Sequence, residues 1–157
     1  MLFHYYDKVP VIGETTDKNS DIIVSMTSFP ARINWVHLTI KSIMAQIQKP
    51  NKIVLWLSKE EFPKELEDLP EQLLKLKSKG LEIYFCENLK AHKKYYFSFV
   101  NYPDYSIVTI DDDVFYPNDL LESLKKNSDS FPDCIIAHRV REILSNNEGW
   151  APYREWP

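Results

Sequence analysis

The chain has 157 residues and a formal charge of 19 − 23 = −4, the size of one domain and a balance, with no basic block, that is poorly suited to nonspecific nucleic-acid binding. Hydrophobic residues make up 44% and charged residues 27%, which excludes global disorder. Glycine is scarce: Gly13, Gly80 and Gly149 are the only three, so neither the dinucleotide fingerprint nor a Walker loop can be assembled, because both need clustered glycines for close backbone approach to phosphate.

Residues 1–20 carry polar and turn-forming residues without sustained periodicity and read as a lead segment. They lack a basic stretch followed by an apolar one, and no apolar run approaches the roughly 18 to 20 residues of a membrane span, so a soluble, cytoplasmic protein is expected. Ile22-Ile23-Val24-Ser25-Met26 is a short β-branched run that suits a buried parallel strand, broken by Thr27-Ser28-Phe29-Pro30. After Asn34, Val36, Ile40, Ile43, Met44 and Ile47 recur at the helical period until Pro50. A second strand is predicted over 52–58, a helix over 70–79 stopped by Gly80, a third strand over 81–87 and a helix over 91–101 ending before Pro103. Ser106-Ile107-Val108-Thr109-Ile110 is a fourth strand, 117–127 a fourth helix, and 134–139 a fifth strand. Strands alternating with helices argue for an α/β fold with a mostly parallel sheet over 21–145, whose ligands sit beyond the carboxyl ends of the strands. The tail, 146–157, is aromatic to its end and reads as a segment that packs against something following it.

The densest chemistry is Asp111-Asp112-Asp113 at the exit of the fourth strand. Two unit charges about 4 Å apart repel by roughly 4 kcal/mol at an effective dielectric near 20, so something must offset the triple. A hard divalent cation, Mg²⁺ or Mn²⁺, is the natural candidate, since such ions take one or two carboxylates plus substrate phosphates. If the strand persisted, Asp111 and Asp113 would share one side and Asp112 face the other.

Three segments together resemble bacterial nucleotide-sugar-dependent glycosyltransferases of the GT-A fold: Ser25-Met26-Thr27-Ser28-Phe29-Pro30, Ala91-His92-Lys93-Lys94-Tyr95-Tyr96, and Thr109-Ile110-Asp111-Asp112-Asp113-Val114-Phe115-Tyr116-Pro117. The likeness runs from about Asp21 to the end, and the acidic triple is similar to the DXD motif of that family. It implies a Rossmann-like nucleotide-binding half in which Asp111 and Asp113 ligate Mn²⁺ or Mg²⁺ and Asp112 contacts ribose or shares the metal. It further implies that Thr27 and Phe29 hold the nucleotide base with Arg32 beside them, and that Lys93 or Lys94 faces the donor. In the family an acidic residue often follows the second strand; here that place reads Ser58-Lys59-Glu60-Glu61. The implied activity is metal-dependent transfer of a sugar from a nucleotide-diphosphate sugar to a glycan or lipid-linked acceptor, with peripheral membrane association or a partner subunit.

Two other readings compete. Only 157 − 139 = 18 residues follow Arg139, and nothing there matches an acceptor half, so the chain is alternatively a truncated, non-catalytic nucleotide-sugar-binding domain or subunit. Asp111-x-Asp113-Val114 after an apolar strand also fits the first motif of haloacid dehalogenase-like phosphatases, although no later Asp-Asp pair follows. Cys86 and Cys134 lie in apolar stretches and are expected to be buried and reduced; His138 is read as a core residue rather than a metal ligand. Trp35 and Trp56 are expected in the core, and Trp150 and Trp156 are left open between packing and ligand stacking.

Overall fold

The computed structural model describes residues 11, 13–146 and 149–157, so most of the lead segment, His4 included, lies outside the described residues. The chain divides into two compact units, Met1–Leu121 and Glu122–Pro157.

The first unit is α/β. Four strands, β1 (Ile22–Thr27), β2 (Lys52–Ser58), β3 (Leu81–Cys86) and β4 (Ser106–Thr109), form an all-parallel sheet in the order β3-β2-β1-β4. Helices intervene: α1 (Val36–Met44), α2 (Glu71–Leu74) extended by a 3₁₀ turn over Lys75–Lys79, and α3 (Lys93–Asn101) preceded by a 3₁₀ turn at Lys90–His92. The arrangement is Rossmann-like, as the alternation of elements predicts.

The two central strands are the continuous apolar runs of the sequence, and they are buried on both faces, as parallel strands between helices must be. Register fixes which residues share a face. Ser25 pairs with Val54 and Thr109, and Thr27 with Trp56, so Ile23, Ser25, Val54, Trp56 and Ile107 look one way. α3 covers that face: Phe97, Tyr102 and Ile107 pack on Ile23, Val54, Trp56 and Cys86. Polar links lock the helix down, since the Ser98 hydroxyl stands 2.6 Å from Ser25 Oγ and accepts the Trp56 indole N–H at 2.8 Å. The opposite face, with Ile22, Val24, Met26, Ile53, Leu55 and Leu57, is equally buried, each such side chain contributing about 1.5 to 3 kcal/mol. Gly80 ends the α2 segment in the left-handed region, φ 100°, as its place after the last periodic leucine predicts.

The chain builds β1, β2 and β3 outward in one direction and then returns to lay β4 on the other side of β1. The strand order therefore reverses between β1 and β4, and the loops leaving these two strands part there to leave a crevice.

In the second unit, the part of α4 (Leu120–Ser130) beyond Leu121 leads into residues 131–144, which have no regular structure, and then a two-stranded antiparallel ribbon of β5 (Ser145–Asn146) and β6 (Gly149–Trp150). The fifth strand predicted over 134–139 does not form: Ile135 is fully exposed, and Cys134 and His138 are exposed instead of buried. An apolar run becomes a strand only where a ladder pairs its backbone, and this run has none. The tail folds on itself: Arg141 lies over the Tyr153 ring at 4.9 Å and donates to the Trp156 carbonyl at 2.7 Å, while the Trp156 indole N–H donates to the Ala151 carbonyl at 2.9 Å. Trp150 remains exposed.

Candidate functional site

A cleft of about 330 Å³ opens at the reversal between β1 and β4. One wall is the chain leaving β1 (Thr27, Ser28, Phe29, Arg32), the floor is the chain leaving β4 (Ile110, Asp111, Asp112), and the far wall is the start of α3 (Lys90, Ala91, Lys93, Lys94) with Glu61. The volume is that of an ordinary small-molecule site. All three segments that carry the family resemblance meet here, although they lie far apart in sequence.

The acidic triple no longer belongs to the strand, which ends at Thr109, yet exposure still alternates through it. Asp111 and Asp113 keep 62% and 50% of their side-chain surface in solvent, whereas Asp112 keeps 8%. Both oxygens of Asp112 are engaged: Ser28 Oγ donates to Oδ2 at 2.6 Å and Arg32 Nη1 to Oδ1 at 2.8 Å. The same Arg32 nitrogen lies 2.8 Å from Asp113 Oδ2, and Lys94 Nζ donates to Asp111 Oδ1 at 2.7 Å. The repulsion that the sequence alone assigns to a missing cation is thus already offset by two protein cations. Asp112, followed by Asp113 and Asp111, pushes the Arg32 guanidinium further up, so it stays charged at every working pH.

The two lysines of the expected basic position differ. Lys94 reaches across the cleft to Asp111, while Lys93 is buried at 3% exposure and held by Glu61 Oε2 at 3.4 Å and Asn88 Oδ1 at 3.2 Å. A buried ammonium is tolerated only with such partners, so Lys93 and Glu61 form a fixed charge pair in the wall. Thr27 spends its hydroxyl on the Trp56 carbonyl at 2.7 Å, and Phe29 stands exposed at the rim with the Arg32 guanidinium 5.4 Å above its ring.

The loop carrying the triple is fastened to α1 and to the residues that follow it. Thr39 Oγ1 donates to the Asp112 carbonyl at 3.0 Å, Ser42 Oγ accepts the Tyr116 N–H at 3.2 Å, and buried Gln46 donates to the Pro117 carbonyl at 2.6 Å and accepts the Leu121 N–H at 3.0 Å. Tyr116 closes the loop by accepting the Asp111 N–H at 2.9 Å; burial pushes its phenol above the usual value, so it stays protonated. The sequence reading missed these residues together with Ser28, Asn88 and Lys90. A signal was present for three of them: Thr39, Ser42 and Gln46 follow the i, i+3, i+7 spacing of one helix face, a polar stripe inside an apolar helix.

Asp113 also borders a second, smaller cavity of about 140 Å³, with Arg32, Trp35, Thr39, Asp112 and Phe115. Trp35, expected in the core, is 59% exposed. It occupies the cap position just before α1, outside the stripe Val36-Ile40-Ile43 that faces inward.

Among the described residues no group of three or more His, Cys, Asp or Glu is arranged to hold a metal. The donor chemistry nevertheless suits Mg²⁺ or Mn²⁺: Asp111 and Asp113 are exposed carboxylates, hard oxygen ligands, one paired through one oxygen with half-buried Lys94 and the other with exposed Arg32. No protein-family model matches the chain, and no curated protein matches it either.

Proposed function

We propose that the cleft binds a nucleotide-diphosphate sugar with a divalent cation, and that the chain is a metal-dependent glycosyltransferase of the cytoplasm, or the donor-binding domain of one, serving a glycan or lipid-linked acceptor. The observation that carries this reading is the position of the cleft. It lies at the carboxyl ends of β1 and β4, where the strand order reverses, with carboxylates and cations facing each other across it.

Each residue then has a task. Phe29 offers the base a ring face at the rim, and the Lys93–Glu61 pair stiffens the wall. Lys94 and Arg32 are donors for diphosphate oxygens. Their present bonds to Asp111 and Asp113 are exposed ion pairs, which contribute little and exchange readily, so an arriving phosphate can take the cations and free the carboxylates. Asp112 does not join that exchange; with Ser28 it keeps Arg32 in place. A cation on Asp111 and Asp113 would supply Lewis-acid stabilisation of the charge on the departing nucleoside diphosphate. Phosphate is thus held by side chains instead of the glycine-rich backbone that the chain lacks.

Calorimetry with UDP- and GDP-sugars, with and without Mn²⁺, tests the reading. Saturable binding that EDTA abolishes and that Asp111→Ala/Asp113→Ala loses is expected. Absence of binding for every nucleotide sugar, or binding unchanged in the double variant, overturns it. One observation favours a metal-free version of the same site: Lys94 and Arg32 already offset two of the three charges of the triple. That version predicts binding that survives EDTA and is lost in Arg32→Ala/Lys94→Ala.

A further inference from the structure

The second unit, Glu122–Pro157, leaves an unusual amount of apolar surface in solvent. Phe131, Ile135, Val140, Ile143 and Trp150 are each more than half exposed, Ile135 completely so. Together they present apolar area on the order of 600 Å². The largest patch on a typical monomer reaches only about 300 to 600 Å². Tyr153 and Trp156 are a different case, because they are engaged inside the tail: Arg141 lies over the Tyr153 ring, and the two rings meet edge-on at 5.2 Å.

The ribbon sets two of the exposed residues on one face. Ser145 pairs with Trp150, and the Ala151 N–H donates to the Leu144 carbonyl at 2.9 Å, so the pairing runs one step past the strands. Alternation then places Ser145 and Trp150 on one side, continued by Ile143 two residues before Ser145, and Leu144 and buried Ala151 on the other. A two-stranded ribbon is marginal by itself and is stabilised by a third strand or by packing of an apolar face. Cys134 is a free thiol, so no disulfide fastens the unit.

Area and charge select the occupant. A standard interface takes about 800 Å² from each partner, little more than half of it apolar, so this surface supplies the apolar share of one side. Arg139 and Glu142 stand exposed in the same stretch and give it both signs of charge. A surface that meets a copy of itself can pair both signs, whereas an anionic membrane calls for a basic cluster.

We propose that the second unit carries a homodimer interface, in which Ile143 and Trp150 of the ribbon, with Ile135 and Val140 of the stretch before it, pack against the same residues of a second copy of the chain. The contact is isologous, and it is independent of what the cleft binds.

Sedimentation velocity of the full chain, from low micromolar to a few hundred micromolar, provides the test. The mass should move from that of one chain toward that of two as the concentration rises. In Ile135→Ser/Trp150→Ser the dissociation constant should increase about tenfold or more, the scale of an aromatic anchor, whereas Trp150→Phe keeps a ring and should still associate. The replaced side chains are exposed, so these variants should keep the native melting curve, and circular dichroism verifies this. Trypsin gives a second readout on the native protein: cleavage after Arg139 and Arg141 should slow as the concentration rises through the dimer range, an effect that the double variant lacks. The inference is overturned by the mass of a single chain at every concentration, or by self-association unchanged in Ile135→Ser/Trp150→Ser. Co-sedimentation with phosphatidylcholine–phosphatidylglycerol vesicles in place of self-association overturns it equally.

Discussion

Asp112 shows how one side chain can tie together two loops that line the cleft. Ser28 and Arg32 satisfy it from the loop after β1, so the acidic loop and the β1 loop are held as one surface. Ser28→Ala leaves a buried carboxylate short of a donor and should cost about 1 to 3 kcal/mol in urea denaturation, with weaker nucleotide binding as Arg32 loses its fixed position. The thiols give a second residue-scale prediction. Burial pushes Cys86 up to about 11, and its Sγ donates to the Leu57 carbonyl at 3.4 Å, whereas Cys134 is exposed. Iodoacetamide at neutral pH should label Cys134 alone until the protein is unfolded, when both react; mass spectrometry of the native protein counts the adducts. The raised thiol also has a sign in stability. The folded state keeps its proton between the ordinary thiol value, near 9, and about 11, so stability is full below that window and falls as pH rises through it. Cys86→Val should flatten that part of the pH profile in denaturant titrations.

At the scale of elements, β1 and β2 were legible because buried parallel strands are written as unbroken β-branched runs, and the α2 segment because Gly80 is the residue a left-handed cap requires. The same cap can be tested: at φ 100° a Cβ on residue 80 would stand 2.8 Å from Thr15 Oγ1, whose hydroxyl donates to the Lys79 carbonyl. Gly80→Ala should therefore lower stability by about 1 kcal/mol or more, read from the thermal midpoint. What could not be read was whatever depends on partners distant in the chain. The run at 134–139 has strand composition but no ladder, and Trp35 has core composition but stands one residue outside the inward stripe. The acidic triple was legible as a functional site candidate, yet the identity of its counter-charges was not. Lys94 lies 17 residues away and Arg32 lies 80 residues from Asp112, and only the packing of α3 and the β1 loop brings them together.

For the whole molecule, the sheet order matters more than any single motif. Parallel order β3-β2-β1-β4 puts the exits of β1 and β4 side by side, which converts three separate sequence segments into one cleft. Among the described residues no helix is long and apolar enough to cross a membrane. The exposed stretch 131–144, without regular secondary structure, should be the first to yield to limited proteolysis, leaving an N-terminal fragment that ends within this stretch, beyond α4; intact-mass analysis of the digest checks the cut.

The central claim, that the reversal between β1 and β4 is the nucleotide-sugar site, is tested most directly by amide chemical-shift mapping of the ¹⁵N-labelled chain titrated with UDP- and GDP-sugars in the presence of Mg²⁺. The account predicts saturable shifts clustered at residues 27–32, 90–94 and 110–113, and their loss in Asp111→Ala/Asp113→Ala. Shifts elsewhere, or none with any nucleotide sugar, would contradict it.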